Sequence, residues 1–184
     1  MGTTYDRLND KLIDFIETQK MFFVATAPRS DEGHVNVSPK GYDSFVVIDE
    51  ETVAWLDLGG SGIETMAHLK ENGRITIMFC AFEGAANIVR IYGKGEAVQF
   101  DDPRFPELLK LFPAFDKARA IVTVKVDRAS DSCGWGVPFY EFKSERDQLK
   151  RYADNPAKTA DDWAEKFRTA NAHSIDGLTG VETK

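Results

Sequence analysis

Apolar and polar positions change period several times along the 184-residue chain, and those changes mark out its elements. Near the N-terminus, Leu8, Leu12, Phe15 and Ile16 recur at helical spacing between polar residues, which predicts an amphipathic first helix. MFFVATA (21–27) then predicts a buried strand, and RSDEG (29–33) a turn. HVNVSPKG (34–41) alternates and stops at a Pro and a Gly. SFVVI (44–48), TVAWLDL (52–58) and RITIMF (74–79) predict further strands. NIVRIYGKGEAVQF (87–100) predicts a long strand whose two glycines mark a bulge or a close backbone approach. RAIVTVKV (119–126) completes the set, with Val122, Val124 and Val126 on one face.

One helix is expected after Gly62 and another around residues 101–112. The charged tail, roughly 144–172, predicts two helical pieces broken at Asn155-Pro156. Six or seven short strands with few helices between them predict a predominantly antiparallel sheet or barrel. A dinucleotide-binding fold would alternate strand and helix throughout, and this chain does not.

The stretch WLDLGGSGIETMAHLKEN (55–72) carries the strongest candidate chemistry. One reading is structural. Ser61 and Glu64 match a capping box, with Gly59, Gly60 and Gly62 supplying unusual backbone angles. The other uses the same atoms, because a glycine-rich helix start presents free N–H groups to a phosphate and Ser61 and Thr65 add hydroxyls. Lys40 adds a positive charge if its strand neighbours the Trp55 strand in a meander, and Arg74 and Arg90 are further candidates.

Composition narrows the partners. A net charge of −7 argues against a general nucleic-acid binder, which needs excess cations to displace counterions. Two cysteines, Cys80 and Cys133, form neither a disulfide framework nor a zinc pattern, so both are expected as buried small hydrophobes in a reducing cytoplasm. No run approaches the ~20 apolar positions of a membrane span. His34, His68 and His173 are too scattered for a metal site, and His68 is expected on a helix surface. Asp57 ends a strand and suits turn backbone. Trp135 and Tyr140, in the loop-like run SDSCGWGVPFY (130–140), are expected to dock on a core.

In order and spacing, FFVATA, GHVNVSPKG, VAWLDLGGSGIETMAHLKENGRITIMFCAF and NIVRIYGKGEAV resemble the FMN-binding split-barrel family related to pyridoxamine 5′-phosphate oxidase. The resemblance covers residues 20–100 and extends more weakly to about residue 142. It implies a mainly β fold, a six-stranded antiparallel split β-barrel with peripheral helices. It further implies a homodimer with FMN at the subunit interface. Residues 1–143 would form that domain, and 144–184 a helical extension packed on the barrel or on the partner. Asn36, Val37, Ser38, Pro39 and Lys40 would run along the flavin ring, with Asp57 at the same site. Ser61, Gly62 and Thr65 would hold the 5′-phosphate. Asn87, Ile88 and Arg90 would meet the flavin from the second subunit, while Cys133 and Trp135 lie in a segment that could close over the ring.

The family resemblance implies a flavin-dependent oxidoreductase, with a reduced nicotinamide as possible hydride donor and a small acceptor. Departures limit what carries over from the vitamin chemistry. Ile88 stands where the oxidases carry a flavin-contacting glutamine, and their arginine-rich C-terminal segment is not recognisable. Two other readings therefore stand beside the enzyme: a flavin carrier or sensor without turnover, and a relative that holds haem or a deazaflavin.

Overall fold

The computed structural model describes residues 2–115, 117–153 and 160–181, so the break expected at Asn155-Pro156 lies outside the described residues. In chain order the elements are β1 (Thr4–Tyr5), α1 (Asp10–Thr18), β2 (Phe22–Thr26), β3 (Asn36–Lys40), β4 (Phe45–Asp49) and β5 (Thr52–Asp57). They continue with α2 (Glu64–Asn72), β6 (Arg74–Cys80), β7 (Ile88–Gln99), α3 (Phe105–Leu109), β8 (Ala120–Ser132), α4 (Gln148–Ala153) and α5 (Ala160–Ala170).

Among the described residues, eight strands form one antiparallel sheet in the order β3-β2-β6-β7-β8-β5-β4, with the short β1 beside β8. The fold is mainly β, a split barrel with peripheral helices. Its curvature follows from chain connectivity. β3 and β4 stand at opposite ends of the sheet order, yet only residues 41–44 separate them. So short a connection reaches ~18 Å at most, so the sheet must roll until its ends meet. Aromatic rings fill the closing seam: Phe45 of β4 lies 5.0 Å from Phe22 of β2 and 5.0 Å from Phe79 of β6, both edge-on.

Inward-facing positions build the interior. Val24, Trp55, Ile77, Ile91 and Val122 are fully buried in one cluster that α1 closes with Leu12 and Ile16. Asn9 caps α1, its side chain accepting from Leu12 N at 3.0 Å. A second cluster, Leu56, Val98 and Ile121, lies under Phe105 and Phe112. Helix α2 crosses β7 where Gly95 leaves space for the Leu69 side chain. Gly73, at φ 70°, ends α2 in the left-handed conformation.

The two glycines of β7 do what their spacing implies. The β7–β8 register slips between Tyr92 and Gly93, and Gly93 passes so close to β8 that a Cβ there would meet the Lys125 carbonyl. Two expectations are corrected, and one strand is added that the sequence pattern does not show. The Lys40 strand does not neighbour the Trp55 strand: β3 pairs with β2 alone, whereas β5 lies between β8 and β4. The last strand extends to Ser132, because β7 continues beside it past Val126. And β1, too short to show a period, pairs through Thr4 and Tyr5 with Ser130 and Ala129.

Replacing Gly93 by Ala should therefore cost about 1–3 kcal/mol by forcing β7 and β8 apart. Urea unfolding of the variant checks this, and an unchanged midpoint would remove the close approach as a constraint.

Candidate functional site

Asp57 ends β5 and Arg119 stands just before β8, and the register that pairs Asp57 with Ala120 brings their side chains together. Arg119 Nη2 lies 2.8 Å from Asp57 Oδ2, with both side chains almost wholly buried. Gly59 N donates to Asp57 Oδ1 at 3.2 Å, and Arg119 N donates to the Asp57 carbonyl at 2.8 Å. Burial would raise the Asp57 pKa, but the Arg119 charge, then the Lys40 charge and the hydrogen bonds, outweigh it and hold the carboxyl below its ordinary value. Asp57 thus organises the turn backbone, as its place in the sequence implies. Arg119, which the sequence reading did not single out, is its charge partner.

The same guanidinium governs the glycine turn. Arg119 Nη1 donates to the Gly62 carbonyl at 2.8 Å and to Asn171 Oδ1 at 3.2 Å. Gly59 and Gly62 take φ of 82° and 88°, so both glycines are required by backbone conformation. The capping box is not formed. The residue preceding α2 is Ile63, with no side-chain cap, and Ser61 and Gly62 lie exposed on the turn. Glu64 instead turns its carboxylate over Gly62, where Oε1 accepts from Ile175 N at 3.3 Å. At Gly60 the crest of the turn is open, with nothing within 4 Å of a Cβ placed there.

Strand β3 presents Asn36, Ser38 and Lys40 on one face and Val37 and Pro39 on the other, exposed, face. Asn36 Nδ2 donates to Thr65 Oγ1 at 3.0 Å, which joins the strand to the first turn of α2. The Ser38 hydroxyl is buried and has no hydrogen-bond partner. Lys40 lies close enough to Asp57 for its charge to stabilise that carboxylate. A hydrogen bond thus ties Asn36 to Thr65 and charge ties Lys40 to Asp57, so the inner face of β3, with Ser38 between them, stands beside the start of α2 and the end of β5.

The remaining candidates stand apart in a single chain. Lys40, Phe22, Phe79 and Val89 are successive register partners, so Ile88 and Arg90 lie three strands from β3, about 14 Å away. Arg90 Nη1 donates to Ser132 Oγ at 3.1 Å, and the adjoining Gly134 abuts the Asn87 backbone. Cys133 is exposed, contrary to expectation, because β8 has ended and nothing covers it; Cys80 is buried. Trp135 does not dock on a core either, being 87% exposed, and Tyr140 is exposed beside Phe82 at 5.5 Å between rings. A cleft of about 900 Å³ opens between the end of β3 and this segment, lined by Lys40, Tyr42, Phe82, Tyr140 and Phe142. Tyr42, on its wall, and the adjoining Asp43 hold φ of 69° and 49°, a conformation that non-glycine residues rarely adopt.

His68 is not on a helix surface. It is fully buried, Nδ1 lies 2.9 Å from Thr26 Oγ1, and Nε2 is enclosed without a partner. Burial lowers its pKa against the opposing pull of Asp176, Glu64 and Glu71. The signal that could have found it is its place three residues after Thr65, on the face that meets β2.

The family model for pyridoxamine 5′-phosphate oxidase matches residues 8–133, which holds every element from α1 to β8. The chain belongs to the pyridoxamine 5′-phosphate oxidase family. The family protein ustO of Aspergillus flavus is 34% identical over 199 residues, covering 100% of this chain and 79% of ustO. The crystal structure of HupZ from Group A Streptococcus matches with a TM-score of 0.54 at 23% identity, covering 66% of this chain and 91% of HupZ. That likeness is one of fold. No helix among the described residues of this family member is long and apolar enough to cross a membrane.

Replacing Arg119 by Met should cost about 3–5 kcal/mol at neutral pH, because it strands the Asp57 charge in the interior. In the native chain the lowered Asp57 pKa adds stability that is complete above the ordinary carboxylate value and is lost as pH falls through the lowered one. In the variant burial governs and pushes the carboxyl up, so its deficit should shrink as pH is lowered to about 4.5. Urea unfolding of both proteins at the two pH values checks this. A deficit that stays constant would dissociate Asp57 from Arg119.

Proposed function

We propose that this family member binds FMN in the cradle of β3, the glycine turn and the first turn of α2, and acts as a flavin-dependent oxidoreductase. The observation that carries the reading is Ser38. A buried hydroxyl left without a partner costs about 1–3 kcal/mol, and a ligand lying along the strand would supply that partner. Asn36 and Lys40 flank it on the same face, which gives a flat polar ligand a donor and a cation along one strand. Asn36 to Lys40 spans about 13 Å, long enough for the ring system to lie along the strand while the chain and phosphate reach the turn.

The turn suits the phosphate end. Its open crest at Gly60, the exposed Ser61 hydroxyl and the uncapped N-terminus of α2 offer donors and positive partial charge. Thr65, held by Asn36, faces the same space from the helix. Glu64 is drawn toward Ile175, so the anion approaches from the Gly60–Ser61 side. When bound, the flavin would supply two-electron hydride chemistry. The chain's own part is to orient it, to place the Lys40 charge near its polar edge, and to exclude water.

The cleft beside Lys40 is the route we assign to the electron donor and acceptor, a reduced nicotinamide and a small oxidised molecule. Its aromatic walls suit planar compounds. A homodimer completes the site: the second copy would bring Ile88, Arg90, Cys133 and Trp135 over the flavin. The exposure of Val37 on the edge strand and of Trp135 and Phe139 on the segment after β8 supports that assembly.

The visible spectrum of the purified protein, alone and after FMN is added and the excess dialysed away, tests the reading. A retained flavin spectrum is expected. A colourless protein that refuses FMN, or one with a Soret band, overturns it. In the Lys40→Ala/Thr65→Ala variant, FMN affinity should fall by about 1.5–3 kcal/mol while the barrel stays folded. Fluorescence titration checks this, and unchanged affinity would move the site elsewhere.

A further inference from the structure

The chain after α5 returns to the cradle and touches each of its parts. Phe167 of α5 lies so close over Gly59 that a side chain at that position would strike its ring. Four residues on, Asn171 accepts from Arg119 Nη1, the nitrogen that also holds the Gly62 carbonyl, and its own Nδ2 donates to the Phe167 carbonyl at 3.1 Å. Gly180 packs on Ile63 at the foot of the turn, and its carbonyl accepts from Lys70 of α2 at 2.5 Å. Ile175 N–H holds the Glu64 carboxylate. Asp176 accepts from His34 N at 2.8 Å and meets its ring at 2.7 Å, just ahead of β3. The bridge between His173 and Thr179 closes residues 171–181 into a hook that carries these contacts together.

We propose that this C-terminal hook is a positioning element of the cofactor site, one that sets the glycine turn for the flavin's phosphate. The inference rests on the FMN reading and goes beyond it. The residues that would touch the phosphate are on the turn, while Phe167 and Asn171, which pack on Gly59 and hold Arg119, lie more than a hundred residues after it. The hook acts in two ways. Asn171, bonded to Phe167 at the end of α5, acts with that ring to hold Gly59 and Gly62, whose left-handed backbone would otherwise relax, with Arg119 as the link. Ile175 N–H holds the Glu64 carboxylate over Gly62, which fixes that charge to one side of the Gly60–Ser61 crest. The crest from Gly60 to Ser61 stays open because the hook grips the flanks and leaves the middle free.

The comparison of FMN with riboflavin isolates this role, because the two ligands differ only by the phosphate. For the Phe167→Ala/Asn171→Ala variant, FMN affinity should fall about tenfold or more, the loss of well-placed phosphate donors, while riboflavin affinity changes by less than about twofold. Amide exchange at residues 60–66 should quicken, with exchange in β7 and β8 unchanged. Asp176→Ala, which cuts the tie to His34 at the rim and leaves Phe167 and Asn171 in place, should shift the FMN-to-riboflavin ratio in the same direction by a smaller factor. It decides the matter if the double variant does not fold. Equal weakening of both ligands would mean general loosening and would overturn the proposal, as would unchanged FMN affinity. A native protein that binds neither ligand would overturn the FMN reading itself, and the hook's role with it.

Discussion

The buried ion pair between Asp57 and Arg119 is the interaction on which the rest of the molecule depends. It stands where a central strand runs out into the glycine turn, and Arg119 opens the next strand beside it. A pair buried this deeply is a poor source of net stability, since desolvation of both ions offsets their attraction. Its value here is specificity of position. One planar guanidinium reaches the strand end, the turn carbonyl and the C-terminal segment at once. Lysine, with a single point charge, could not make that fork.

A second constraint is the short connection from β3 to β4, which rolls the sheet and leaves β3 paired on one side only. Barrel closure thus generates the candidate site. The strand that must turn the corner has one free edge and one inward polar row, and the corner residues Tyr42 and Asp43 take left-handed backbone to make the turn. Backbone held in this way is over-determined by its surroundings, as befits the wall of a cleft.

Much of the fold was legible because burial imposes period. The alternation of Phe22, Val24 and Thr26, or of Val122, Val124 and Val126, survives directly as inward faces. Gly93 and Gly95 announced their close approaches for a similar reason: only a missing side chain fits there. Strand neighbours were less accessible. Pairing β5 with β8 joins residues more than sixty apart, and no local pattern encodes that partner, so the meander placing Lys40 beside Trp55 was the natural local guess. The cradle residues on β3 and the turn were readable through motif and resemblance. Arg119, Asn171 and Phe167 were not, because their roles exist only once distant segments meet. Trp135 and Tyr140 misled because a single chain gives their apolar rings no core to cover.

Pro39 gives the exposed edge of β3 a further property. A free edge is a template on which another extended chain could add, strand upon strand, into an open-ended array. Proline has no N–H, so the ladder that such growth requires is interrupted at the fourth residue of the five-residue strand. Val37 can still be covered by side chains, but backbone-to-backbone propagation is blocked. The strand whose inner face carries the candidate flavin site therefore also carries, on its outer face, the residue that keeps its edge from polymerising, and an intact barrel can leave this strand uncovered without growing into an open array.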